Sequence, residues 1–271
     1  MLYIISTPIG NLKDMSDRVK DTLLSVRNII CEDTRRTRIL LESLGIDIKS
    51  KKLHVANDFS EKKLLDSIDT GSDYALVTDN GTPGISDPGS LLVNHFRNAG
   101  IPITHIPGPT AFVSALVLSG FDTEHFSFYG FLPKGESQIV DVISDLLPRK
   151  ETLIFYESPH RIEKTLKIID SHFPDLRVCV ARELTKRFEE VIIGTAGEIL
   201  SRKKEILGEI VLLVDAKDND SSGNDDITDD MIRSVYSSFI REKIEKKDAI
   251  AKASALLKAS RQRVYDLVKK K

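Results

Sequence analysis

The chain has 271 residues, 41% hydrophobic and 30% charged, with a formal net charge of −2. The length allows two domains with sizeable cores, and the composition excludes a disordered or fibrous chain. The near-neutral balance excludes the global basic field of a small nucleic-acid binder, so any RNA or DNA contact must come from local patches.

Leu2–Ile5 reads as an apolar first strand that runs into the turn Ser6-Thr-Pro-Ile-Gly-Asn11. With no basic segment before it, this start is expected to be a strand and not a secretion signal. Ser16 then caps an amphipathic helix carrying Val19, Leu23, Leu24 and Val26 on one face. Asn28–Cys31 is a second strand, followed by the charged run Glu32-Asp33-Thr34-Arg35-Arg36-Thr37-Arg38. The next helix carries Ile39, Leu40, Leu41 and Leu44 and stops at Gly45. Residues 53–55 are a weak third strand and 62–68 a helix. Tyr74–Val77 is a buried strand that ends at Asp79. A nine-residue loop, Gly81 to Gly89, holds three glycines and two prolines and leads into a helix to Ala99. Asp79 and Asp87 are placed to accept hydrogen bonds from a ligand, although Asp87 by itself reads as the helix N-cap. Residues 103–106 form a strand, Pro107-Gly-Pro-Thr110 a turn, and an apolar helix ends at Gly120.

Strands alternating with helices at this spacing predict βαβ units and a parallel sheet. Three of its strand ends carry Gly/Pro turns on one sheet edge, where open α/β sheets bind ligands. No Gly-x-Gly-x-x-Gly follows the first strand and no Walker loop is present, which argues against a dinucleotide or a P-loop nucleotide. In the charged run, arginines suit phosphate and the adjacent acids suit proton or arginine binding. A capped helix start, with Asp33 as N-cap and solvated arginines, accounts for the same residues equally well.

The aromatic stretch 125–132 predicts a strand closed by Pro133-Lys-Gly135, then a helix to Leu147. Residues 153–156 form a strand that ends in Glu157-Ser-Pro-His-Arg161, with a helix to Phe173. Residues 178–181 form another, ending in Arg182-Glu-Leu-Thr-Lys-Arg187, and 189–194 and 209–214 complete a mixed sheet. Polar groups again gather at strand ends, and His160 reads as a capping or surface residue. Cys31 and Cys179 lie in apolar runs without metal-ligand spacing, so no metal is expected and a reducing compartment is. No apolar run approaches the roughly 20 residues of a membrane span, so no membrane association and a cytoplasmic location are expected.

Residues 217–226 are polar and aperiodic, a flexible linker. From Thr228 to Lys271, twelve Lys and Arg stand against six Asp and Glu, a net of +6 (12 − 6). Two or three helices are predicted there, and a basic helical module after a linker suggests docking on nucleic acid. The expected layout is an α/β domain at 1–118, a second at 119–216, a linker at 217–227 and the helical module at 228–271.

Seven stretches occur in an order that resembles one known family: Thr7-Pro-Ile-Gly-Asn-Leu12, Glu32-Asp-Thr-Arg35, Gly81-Thr-Pro-Gly-Ile-Ser-Asp-Pro-Gly89, Pro107-Gly-Pro-Thr-Ala111, Gly130-Phe-Leu-Pro133, Tyr156-Glu-Ser-Pro-His-Arg161 and Arg182-Glu-Leu-Thr-Lys186. They resemble the ribosomal small-subunit RNA cytidine 2′-O-methyltransferases, a branch of the tetrapyrrole methylase superfamily. Asn80 departs from the alanine more common there. The resemblance implies two α/β domains with a cleft between them and S-adenosylmethionine as methyl donor. It places the cofactor against Pro8, Ile9, Thr82, Pro83, Gly84, Ile85, Thr110, Ala111, Tyr156 and Ala181. It implies direct transfer of the methyl group to a ribose 2′-oxygen, with Glu32, Asp33 and Glu183 as candidate bases. Arg35, Arg36, Arg161, Arg182 and Lys186 are the expected contacts to RNA. The implied partners are the 16S rRNA of the small ribosomal subunit and a second copy of the chain in a homodimer. Two rivals stand beside this reading: an enzyme of the same fold acting on a tetrapyrrole or protein, and a non-catalytic ribosome-binding factor. The arginine-rich strand end and basic tail disfavour the first, and the intact Gly/Pro loops disfavour the second.

Overall fold

The computed structural model describes residues 1–56, 64–65, 68–69, 71–203, 205–217, 228–241, 244–257, 259 and 261–269. The helix expected at 62–68 and the linker expected after 217 lie largely outside the described residues. Strands β1 (Leu2–Ile5), β2 (Asn28–Cys31), β3 (Lys52–Val55), β4 (Tyr74–Leu76) and β5 (Ile103–Ile106) form a parallel sheet in the order β3-β2-β4-β1-β5. Leu2 of β1 pairs with Tyr74 on one side and Ile103 on the other.

Both faces of this sheet are covered, which is why its central strands read as apolar runs rather than as an alternation. Helices α1 (Asp17–Ser25) and α2 (Thr34–Ser43) bury Val19, Leu23 and Leu41 against Ile5, Ile29 and Val77. Helix α3 (Ser90–Asn98) buries Leu92 and Phe96 against Leu2, Ile30 and Leu76 on the other face. Phe96 is wholly buried, and truncating such a side chain to alanine costs about 3–5 kcal/mol.

Helix boundaries follow local chemistry. Ser16 and Asp33 cap α1 and α2 as their positions predict, and Gly45 takes a left-handed φ of 71° just past α2. The cap expected for α3 is corrected. Gly89 is the N-cap, and Asp87 bonds the Thr78 side chain instead. Pro88 and Gly89 separate Asp87 from the helix, which leaves its carboxylate free to turn toward the sheet edge.

The second sheet contains β6 (Phe126–Phe131), β7 (Thr152–Glu157), β8 (Arg177–Arg182), β9 (Glu190–Thr195) and β10 (Ile210–Asp215), in the order β6-β7-β10-β8-β9. Only the β6–β7 pair is parallel, so the sheet is mixed. Helix α4 (Ala111–Ser119) follows the first sheet in sequence but packs on the second. Its Ala115 and Leu116 sit among Ile154, Cys179, Val211 and Leu213. The expected domain boundary after residue 118 thus falls at the end of a helix whose neighbours are in the second sheet. Helices α5 (Glu136–Leu146), α6 (Ile162–His172) and α7 (Ala196–Arg202) cover the opposite face. The capping box of Thr195 and Glu198 opens α7, which is too short to show a helical period in the sequence.

The tail forms α8 (Asp229–Arg241), α9 (Lys246–Leu257) and α10 (Arg261–Lys269), packed around Ile232, Ala253, Ala259 and Val264. No helix among the described residues is long and apolar enough to cross a membrane.

Candidate functional site

The turns after β1, β4 and β5 meet at one edge of the first sheet. Thr7 and Gly81 exchange backbone hydrogen bonds of 2.8 and 3.2 Å. The Ser6 hydroxyl lies 2.9 Å from that of Thr82, which lies 2.8 Å from that of Thr110. A hydroxyl chain therefore ties the three turns together. Facing them across a cleft are the end of β7, the turn after β8 and the start of β10. The cleft has a volume of about 580 Å³ and is lined from both sheets. The turn after β1 comes very close to the opposite side: a Cβ at Gly10 would strike the Lys186 and Thr185 side chains.

Of the expected cofactor residues, Ile9, Thr82, Ile85, Thr110, Ala111 and Tyr156 are on the cleft wall. Pro8, Pro83 and Gly84 belong to the same turns but not to the wall, and Ala181 is fully buried behind it in β8. Burial pushes the Tyr156 phenol up to about 12, so it stays protonated. The wall also contains Asp87, which the sequence placed to accept hydrogen bonds from a ligand, and Asn80, Ser86, Phe131, Gly208 and Glu209, none of which stood out as a cofactor contact.

Two groups of carboxylates border the cleft and differ in kind. On the first sheet, Asp87, Asp79 and Glu32 surround Thr78, whose single hydroxyl proton can go to Glu32 Oε2 at 3.5 Å or to Asp87. Burial raises the pKa of all three. Asp79 adds to the rise for Asp87 and Glu32, while Arg36 opposes it for Asp79. Asp87 is the member of this group on the cleft wall. On the second sheet, Glu183 Oε1 accepts from the Glu209 backbone N–H at 3.0 Å and from Lys186 Nζ at 3.0 Å. These bonds hold the Glu183 carboxyl below its ordinary value. Burial pulls the Lys186 pKa down, but Glu183 and Glu209 outweigh it and leave the ammonium raised. Glu209 closes the group across the cleft by accepting from Asn80 Nδ2 at 3.1 Å. Glu183 and Thr185 both take left-handed φ values, 51° and 64°, so the turn that carries this group is strained.

Asp33 is off the wall and committed to Arg35. It accepts from the Arg35 backbone at 2.8 Å and from its guanidinium at 2.6 Å, and its pKa falls to about 2. Arg35 remains 88% exposed, and Arg36 sits 3.4 Å from Asp79. The other two arginines turn inward. Arg161 donates to the Leu132 and Pro133 carbonyls at 2.9 and 2.7 Å and lies 3.4 Å from the buried Glu157. Arg182 lies 3.5 Å from Glu190. Lys186 is the basic residue of the expected set on the cleft wall, and His160 is exposed and off it.

Residues 1–200 match the family model described as Tetrapyrrole (Corrin/Porphyrin) Methylases. A protein of Bacillus subtilis (strain 168) named ribosomal RNA small subunit methyltransferase I is 36% identical, over 98% of this chain and 93% of its own length. The protein of that name from Vibrio cholerae is 38% identical over 98% and 93%. Among solved structures, diphthine synthase superposes with a TM-score of 0.62 at 12% identity, covering 79% of this chain and 88% of its own. That last likeness shows the fold alone.

Proposed function

The chain belongs to the ribosomal RNA small subunit methyltransferase I family within the tetrapyrrole methylases, and from that premise we propose that it methylates the ribose 2′-oxygen of a cytidine in 16S rRNA. It is a methyltransferase of ribosomal RNA, and its methyl donor is S-adenosylmethionine. The observation that supports the finer reading most is a cleft built from three Gly/Pro turns on one side and charged strand ends on the other.

The residues on the wall suit the donor. Ile9, Ile85 and the Tyr156 ring offer apolar contact for an adenine, and Thr82 and Thr110 offer hydroxyls. Pro8, Pro83, Gly84 and Ala111 set the backbone of the turns, and Ala181 supports the floor. Asp87 gives the wall a negative group beside a sulfonium cation. When bound, the cofactor supplies an electrophilic methyl group, so the protein chiefly positions and deprotonates.

Asp87 receives the proton of the ribose hydroxyl in this reading. A base works best with a pKa near the operating pH, and burial moves Asp87 in that direction. Glu183 is already occupied by Glu209 and Lys186, and Asp33 by Arg35, so both are positioning residues here. Glu32 stands behind Asp87 across Thr78 and competes with it for that hydroxyl proton. Arg35 and Arg36 flank the acid side and would bind RNA phosphates, as would Lys186 at the mouth. Arg161 and Arg182 shape the strand ends that face the RNA. The target nucleotide must leave its stack to enter the cleft. The basic tail grips more distant RNA backbone, and the enzyme works as a homodimer in the cytoplasm.

The test is transfer of label from S-adenosylmethionine to small ribosomal subunits lacking the modification. Wild type should label the RNA, and Arg35→Ala should lower the rate at least about tenfold through one lost phosphate contact. Cofactor binding is checked separately, because a bound ligand raises the melting temperature. A clear melting shift with no labelled RNA would overturn the rRNA reading.

A further inference from the structure

Strand β6 ends in two exposed aromatic side chains, Tyr129 at 51% and Phe131 at 57% exposure. It is the edge strand of the second sheet, and its register slips between Phe128 and Gly130. Such bulges bend a strand and redirect its side chains. Gly130 has a left-handed φ of 78°, and a Cβ there would sit 3.1 Å from Ser86 Oγ in the loop after β4. The bulge thus presses β6 against the loop that lines the cleft and pushes its aromatic residues outward.

Beside the cleft is a second, open hollow of about 420 Å³, lined by Tyr129, Phe131, Pro133, Gln138, Asp141 and Val142. Phe131 lines both cavities, and its ring lies 5.6 Å from that of Tyr156, edge to face. The two spaces therefore adjoin at one aromatic residue. Gln138 and Asp141 are three apart on α5 and present an amide and a carboxylate to the hollow. Exposed π faces next to a few hydrogen-bonding groups suit an unpaired nucleobase, which stacks on the ring and bonds through its edge.

We propose that this hollow is a subsite for the nucleotide next to the target in the RNA strand, with its base stacked on Tyr129 and Phe131 and its edge read by Gln138 and Asp141. The proposal rests on the RNA-methyltransferase reading and adds a second point of contact. The unstacked strand would enter the cleft over Phe131, with one base in each cavity.

The test uses the full chain and fluorescein-labelled oligocytidylate, followed by anisotropy. Tyr129→Ala should weaken binding at least about fivefold, because base–aromatic stacking is worth about 1–3 kcal/mol. The slope of affinity against salt should stay as in wild type, because no phosphate contact is lost. Tyr129→Trp should restore binding, Gln138→Ala should weaken it less, and the melting shift with S-adenosylmethionine should persist in every variant. Wild-type affinity in Tyr129→Ala would overturn the subsite. So would conversion of a dimer to a monomer by that substitution, which would make this face a contact between copies. Tyr129-dependent binding with no label transferred to small ribosomal subunits lacking the modification would overturn the enzymatic reading and leave the subsite standing. No RNA binding by wild type would overturn both.

Discussion

The two walls of the cleft use the same residue types to opposite ends. On the first sheet, Glu32, Asp79 and Asp87 crowd together under burial, and their pKa values rise. On the second, Glu183 and Glu209 share Lys186 and backbone or amide donors, and the Glu183 pKa falls. One wall holds acids ready to take a proton or bind a cation. The other is a closed set of bonds that fixes the cleft's shape. Which carboxylate does chemistry is decided by what already bonds it, a property that residue type does not reveal.

The largest effect should come from the first wall. Asp87→Asn removes the proposed base while keeping size and hydrogen bonding, so methyl transfer should fall at least about 100-fold. The melting shift with S-adenosylmethionine should shrink without vanishing, because the charge beside the sulfonium is lost while the rest of the wall is kept. In wild type the rate should drop as pH falls through the raised pKa of Asp87, because the protonated acid cannot accept a proton. A rate within tenfold of wild type in Asp87→Asn, or an unchanged acid limb, would move the base elsewhere.

The second wall should answer with stability. Glu183→Gln breaks a charge-assisted set and should cost about 1–3 kcal/mol, read as a lower melting temperature at neutral pH. The sign follows from linkage. A folded pKa below the unfolded one gives stability that is present above the unfolded value and lost as pH falls through the folded one. The penalty of Glu183→Gln should therefore shrink in acid. Asp87 has the opposite shift, so its charge opposes folding above its ordinary range, and Asp87→Asn should not destabilise at neutral pH. Equal melting losses in both variants would erase the distinction between the walls.

Much of this site was legible in the chain. The strand–turn rhythm located the three turns of the first sheet edge, and Asn11 to Arg35 showed both helix caps that formed. Asp87 misled because Asp before Pro-Gly and a helix looks like a cap; only the path of Pro88 and Gly89 turns it to Thr78. Arg161 and Arg182 read as RNA contacts because charge at a strand end does not say which way the side chain folds. Glu209 and Gly208 carried no local motif, since their place depends on β10 lying between β7 and β8. The helix at Ala111–Ser119 was legible as a helix, but its packing on the second sheet was not.

The smallest effect sharpens the contact between the walls. Asn80→Ala deletes the bond to Glu209 across the cleft and should cost about 0.5–1.5 kcal/mol. A much larger loss would make Asn80 a main support of the cleft.

The most direct measurement is to digest RNA methylated by the purified protein to nucleosides and identify the labelled product by mass and chromatography. A 2′-O-methylcytidine, in RNA whose backbone resists alkali at that one nucleotide, is the expected result. A base-methylated nucleoside, or label in protein rather than RNA, would contradict the assignment of the ribose hydroxyl and of Asp87 as its base.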